Sequence, residues 1–404
     1  GLAIDRGLIH PGSLLDDAPL AFRDFNPENF DRDFMGPIRA ADALVSSRNL
    51  PAVSLAARLP PDALHDLLAA ARVRRLGSAA HHGLALVLGG VEVSMEELVS
   101  LYTMLARRGE WAPLRLRADL PPDRPADAPA HVPTGVTADA GVRLLGPEAA
   151  WLTLSMLRTN PRPDRGYSEA SAGRGAEVAW KTGTSAGYRD AWAVGVFGAY
   201  VLGVWIGNFD GRPNRAFVGR KAAAPLMFDL VDAIRARTPG LAEQVPERPP
   251  ADLNLAEVDV CAVSGRIPGE SCPHSTRTWF VPGTSPIGVC TLHQTLEIDV
   301  RTGLRACPGQ DTPVRREVFE LWASDALDLF RRAGIPRRVP PPFRPDCKAP
   351  ESAASGPPPC ISSPRPGSVY NLRVGLRDSN DLPLKAISEA GVKTLHWFVD
   401  DRYL

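Results

Sequence analysis

Apolar residues in the first half of the chain recur at helical spacing. Leu64, Leu67, Leu68 and Ala71 share one face of PDALHDLLAAAR, and Leu98, Leu101, Tyr102 and Leu105 form the stripe of SMEELVSLYTMLARRG. The second segment carries both end signals, a Ser94/Glu97 capping-box pattern and Gly109 at the stop. Ile38, Ala41, Leu44 and Val45 predict a buried helix entered at Pro37 and ending near Ser47, after which Pro51 redirects the chain. GPEAAWLTLSMLR predicts another, entered at Pro147, and AAAPLMFDLVDAIRAR one more, with Leu226, Leu230 and Ile234 on its face. Between these two the period drops to two. Trp192, Val194 and Val196 alternate with smaller residues up to Gly198, then Tyr200, Leu202, Val204 and Ile206 alternate beyond it. Two strands joined by a tight turn therefore follow a strand that contains Lys181.

From about residue 241 the pattern breaks into Pro, Cys and short polar runs, interrupted by one expected helix, EVFELWASDALDLFRRAG, which ends in basic residues and Gly334. The following IPRRVPPPFRPDCKAPESAASGPPPC is too rich in proline for a helix or a central strand. LPLKAIS and LHWFV then alternate with period two, as in a small sandwich. Three regions are expected: 1–240, mixed α+β with an antiparallel sheet flanked by helices; 241–345, a Cys/Pro-rich connector with one helix; and 346–404, an incomplete all-β sandwich-like domain. A further Pro-rich passage, Pro121 to Pro133, interrupts the first region, and no internal repeat is visible.

The 404 residues exceed one ordinary domain, and Lys plus Arg balance Asp plus Glu at 46 each. No global field favours nucleic acid or an anionic membrane, so any partner is recognised locally. No run approaches the roughly 18 apolar residues of a membrane span, and no basic-then-apolar leader opens these 404 residues. Both ends are expected to lie inside a longer chain. All six cysteines, Cys261, Cys272, Cys290, Cys307, Cys347 and Cys360, follow residue 260. An even number in a loop-rich region points to disulfides and an oxidising compartment, with the pairing open. Cys290-Thr-Leu-His293, with Cys261 and Cys272 upstream, has metal-ligand spacing. Paired C-x-x-C knuckles are absent, however, so disulfides are favoured and neither metal nor cofactor is assigned.

Lys181-Thr182-Gly183-Thr184 on a strand before a hairpin, and Ser47-Arg48-Asn49 at a helix-to-helix corner, carry the candidate chemistry. Each has an ordinary alternative: a solvated strand lysine, a helix-end hydroxyl, a helix-stop asparagine. Together they match two of the three elements of acyl-serine enzymes, S-x-x-K, S-x-N and K-T-G. Lys181 supplies positive potential and, with the Thr182 and Thr184 hydroxyls, can hold a substrate carboxylate, while Gly183 lets a substrate backbone approach. Ser47 can relay a proton to a leaving amine and Asn49 can hydrogen-bond a substrate amide. Tyr188 and Arg189 either line the groove or shape the turn.

Around these motifs the chain resembles the C-terminal portion of class A penicillin-binding proteins, most closely the 1C branch. GLAIDRGLIHPGSLLDDAP, FNPENFDRDFMGPIRAADALVSSRNLPAV, NPRPDRG, AWKTGTSAGYRDAWAVG and VWIGNFDGRPN carry the likeness, and AVSGRIPGESCP, DLFRRAGIPRR and LHWFVDDRYL extend it nearly to the end. The resemblance implies a penicillin-binding/β-lactamase-like transpeptidase fold. It further implies serine D,D-transpeptidation of D-Ala-D-Ala stem peptides, with lipid-linked glycan precursor as the other substrate, β-lactams as inhibitors and cell-wall synthesis proteins as partners. An upstream glycosyltransferase domain and a periplasmic location with an inner-membrane anchor are implied as well. No S-x-x-K occurs in the 404 residues, so this chain by itself is expected not to form an acyl-enzyme. The competing expectations are a catalytically dead cell-wall or β-lactam binding module and a β-lactamase-like hydrolase. The C-terminal extension argues against the hydrolase.

Overall fold

The computed structural model describes residues 1–18, 25–115, 141–163, 178–238, 248–307, 312–344, 347, 359–363, 384–388, 394–399 and 402–403. The Pro-rich passage at 121–133, much of the linker beyond 344 and most of the expected sandwich lie outside these residues. The chain divides into two compact units, one of Gly1–Arg32, Ile38–Val258 and Arg277–Pro286, the other of Asp33–Pro37, Asp259–Thr276 and Ile287–Leu404.

The first unit is built on a three-stranded antiparallel sheet of Ala179–Thr184, Asp190–Phe197 and Tyr200–Gly207, in that order. Its middle strand is apolar on both sides because both sheet faces are covered. On one face Trp180, Ala191, Ala193 and Val204 pack on Ala223, Ala224, Met227, Phe228 and Val231 of helix Ala223–Arg237. On the other, Ala179 and Val196 meet Leu154 and Leu157 of helix Pro147–Arg158. That helix opens with proline in its first turn, as its sequence predicts, and buries eight of its residues. Helix Met95–Ala106 has both halves of the Ser94/Glu97 capping box, and Gly109 follows it at a φ of 86°.

Three expectations are corrected. Pro37 lies in strand Gly36–Arg39, and the helix begins only at Ala40 and runs to Val45. In helix Ala223–Arg237, Leu226 and Leu230 are 44% and 39% exposed. The inward stripe is set by Met227 and Val231 together with the alanines, whose small side chains let the helix approach the sheet. The segment expected as one helix from Glu317 is a strand, Val314–Glu320, followed by a helix, Ser324–Arg332. Val318 and Phe319 favour the pleated conformation, and Phe319 alone of that strand is buried.

In the second unit Val314–Glu320 pairs antiparallel with His293–Asp299, and Phe330 of the helix stacks edge-on against Trp322. Cys307 and Cys347 form a disulfide, in line with the oxidising reading, whereas Cys261, Cys272 and Cys290 are not disulfide-bonded. Short ladders join Cys360–Ser363 to Lys385–Ile387 and Phe398–Val399 to Arg402–Tyr403.

Candidate active site

The two motifs meet in the first unit. Lys181 and Gly183 lie on one face of their strand and Thr182 and Thr184 on the other. From its face the Lys181 ammonium donates to the Ser47 hydroxyl and to the Thr182 carbonyl, the latter at 2.9 Å. Ser47 sits between helices Ala40–Val45 and Asn49–Ala56 with a φ of 55°, a left-handed turn that leaves its side chain exposed. Burial first, and the nearby Arg220 guanidinium second, lower the Lys181 ammonium from its ordinary 10.5 to about 8. A group poised there can hold a proton or release one near neutral pH, beside a hydroxyl placed to pass it on.

The corner is held from behind by residues that the sequence reading did not single out. Arg48, the middle residue of the motif, is only 7% exposed. Its guanidinium donates to Asp17 at 2.7 Å and to Asp31 at 2.6 Å. Asp17 is wholly buried and also accepts from the Asn29 amide at 2.7 Å. The Asn29 carbonyl oxygen in turn accepts from the backbone N–H of Asn49 at 2.8 Å and of Leu50 at 3.4 Å. Helix Asn49–Ala56 has no side-chain cap from its own N-cap residue, Arg48, so a distant asparagine serves its first donors. Asn49 gives one amide hydrogen bond to the Glu28 carbonyl at 2.7 Å.

Around the third motif, Thr184 accepts from the Gly219 N–H at 3.0 Å, which brings the segment after the hairpin across the strand. A Cβ at Gly219 would stand 2.5 Å from the Gly183 carbonyl oxygen. At Gly183 a Cβ would meet only the Trp192 Cβ, at an ordinary 3.6 Å. Packing therefore demands glycine at Gly219 and not at Gly183. Arg220 reaches the Asn160 side chain at 3.1 Å, and buried Asn160 exchanges hydrogen bonds with Trp180, tying the second cation to the lysine strand. Tyr188 shapes the turn, with a φ of 60°, and sets its ring 5.9 Å from Phe30, edge to face. Arg189 is exposed.

A covered antiparallel sheet whose edge strand carries Lys-Thr-Gly opposite a Ser-x-Asn corner is the framework of acyl-serine enzymes. The chain belongs to the penicillin-binding protein transpeptidase family: the family described as "Penicillin binding protein transpeptidase domain" matches residues 1–207, and "Penicillin-binding protein 1A, C-terminal domain" matches residues 253–295. Among curated relatives, penicillin-binding protein 1C of Escherichia coli (strain K12) is 31% identical over 99% of this chain and 50% of its own length. Penicillin-binding protein 1B of Vibrio cholerae is 28% identical over 52% of this chain and 27% of its own length. The crystal structure of penicillin-binding protein 1A from Haemophilus influenzae shares the fold, with a TM-score of 0.53 and 20% identity over 71% of this chain and 47% of that one. The chain thus spans about half the length of the first of these relatives or less.

Proposed function

We propose that this chain supplies the second and third motifs of a serine D,D-transpeptidase that cross-links D-Ala-D-Ala stem peptides and binds penicillin. The observation that carries the reading is the Lys181–Ser47 hydrogen bond, which joins two motifs 134 residues apart at one point. In the reaction Lys181, Thr182 and Thr184 hold the terminal carboxylate, Asn49 hydrogen-bonds the substrate amide, Ser47 relays the proton to the leaving D-alanine, and Gly183 admits the peptide backbone. The nucleophilic serine of an S-x-x-K motif lies outside the 404 residues, in a bifunctional glycosyltransferase/transpeptidase held in the periplasm by an inner-membrane anchor. Lipid-linked glycan precursor and other cell-wall synthesis proteins are its further partners. Among the described residues no helix is long and apolar enough to cross a membrane.

Labelling with a fluorescent penicillin tests this reading. The product of the complete reading frame should label covalently, and the 404-residue chain should not. Ser47→Ala and Lys181→Ala in the complete protein should each slow labelling by about 10²–10⁴-fold, the range of a lost acid–base group. A complete protein that takes up stem peptide reversibly and never labels is instead a binding module.

A further inference from the structure

We propose that Cys261, Cys272, Cys290 and His293 bind a single zinc ion that holds the second unit together. The four come from separated stretches of chain. Cys261 ends strand Ala256–Cys261, Cys272 lies in the following loop, and Cys290 and His293 bracket the start of strand His293–Asp299. Their ligand atoms all fall within 4.8 Å of one another. The three sulfurs stand at 3.4, 3.6 and 3.6 Å from one atom, His293 Nδ1. A tetrahedral zinc with Zn–S of about 2.3 Å and Zn–N of about 2.0–2.1 Å requires S···N separations of about 3.6 Å. Three independent distances agree with that value.

Backbone N–H groups face two of the sulfurs. Cys261 Sγ accepts from the Ser264 N–H at 3.5 Å and Cys272 Sγ from the Gly269 N–H at 3.3 Å. On the far side of the imidazole, Nε2 lies 4.0 Å from Glu320, whose other oxygen accepts from the Trp322 indole at 2.6 Å. With the carboxylate on the Nε2 side, Nδ1 is the ring nitrogen that faces the three sulfurs. The thiol protons pass to solvent as the thiolates bind.

Disulfide chemistry does not fit three sulfurs, since pairing any two strands the third, and the same unit already holds its disulfide at Cys307–Cys347. Three thiolates and one imidazole in a tetrahedron select zinc over the harder divalent ions, and ligand atoms this close enclose one ion rather than a cluster. The second unit has few long elements, so a four-point tether of otherwise irregular chain is where metal binding becomes folding free energy.

The test is elemental analysis of the full chain purified without chelator or reductant, joined to thiol alkylation with and without chelator. About one zinc per chain is expected, with Cys261, Cys272 and Cys290 alkylated only after the ion is stripped. Cys290→Ser should lower zinc affinity by at least about tenfold, and Cys307→Ser should leave the zinc content unchanged. Because Cys290→Ser can fail for lack of folding, cobalt exchange into the unmodified chain gives a second reading. Thiolate-to-cobalt charge transfer with tetrahedral d–d bands supports the site. Zinc-free protein that is folded and alkylates equally with and without chelator would overturn it, as would a disulfide between any two of the three.

Discussion

Arg48→Ala removes a cation that bonds both Asp17 and Asp31. Asp17 is 0% exposed, so the variant takes the paired guanidinium away from a buried carboxylate that also accepts from Asn29. Deleting one member of a buried ion pair costs about 3–5 kcal/mol, most of it from the charge left behind. The Asn29 hydrogen bond and the half-exposed Asp31 place this case near the lower end. Asp31→Ala removes a contact to a carboxylate that is 51% exposed and should cost only about 0.2–1 kcal/mol. Arg48→Met with Asp17→Leu removes both charges and should recover most of the loss. Denaturant unfolding of the full chain, followed by fluorine NMR of fluorotryptophan at Trp180, Trp192 and Trp205, isolates the first unit's transition. If Arg48→Ala costs no more than Asp31→Ala, or if the double variant is worse than the single one, the corner is not held by this buried pair.

Further outcomes follow from the lysine strand and the segment that crosses it. The folded Lys181 ammonium titrates at about 8 and the unfolded one at 10.5, so the unfolded chain holds more protons between those values. Stability from this group should therefore rise with pH through that window and show its full penalty below it. Side-chain NMR of Lys181 should find the midpoint near 8, moving up in Arg220→Gln yet staying below the ordinary value because burial persists; a midpoint near 10.5 in the unmodified chain would contradict the desolvated site. Gly219→Ala should destabilise the first unit by about 1–3 kcal/mol through its main-chain collision. Gly183→Ala should leave stability within about 0.5 kcal/mol while impairing penicillin labelling of the complete protein, so thermal melts and labelling should separate the two glycines.

The regular elements of the first unit were legible where local signals agreed. Ser94, Glu97 and Gly109 announce both ends of their helix, and the alternation about Gly198 announces the hairpin. Lys181 and Ser47 were recognisable as motifs, and their resemblance to a family supplied the expectation that they meet. Nothing local marks Asp17 or Asn29 as supports of the corner, because both act on residues about 20–30 positions away through side chains that look like ordinary loop polar groups. Arg48 was hidden by its type, since arginine is usually solvated and here is buried by two carboxylates. Leu226 and Leu230 misled because a helix rich in apolar residues offers more than one plausible stripe, and only the sheet selects between them. The cysteine spacing was visible, but convergence on His293 depends on how strands Ala256–Cys261 and His293–Asp299 are brought alongside the loop between them.

The left-handed turn at Ser47 separates what a ligand can sense from what holds the site in shape. Ser47 faces the cleft, while Arg48 is anchored in the interior. Replacing Arg48 or buried Asp17 would act on the corner that presents the Ser47 hydroxyl from behind it. An exposed hydroxyl is thus governed by residues it does not touch, and a survey confined to exposed positions would pass over them.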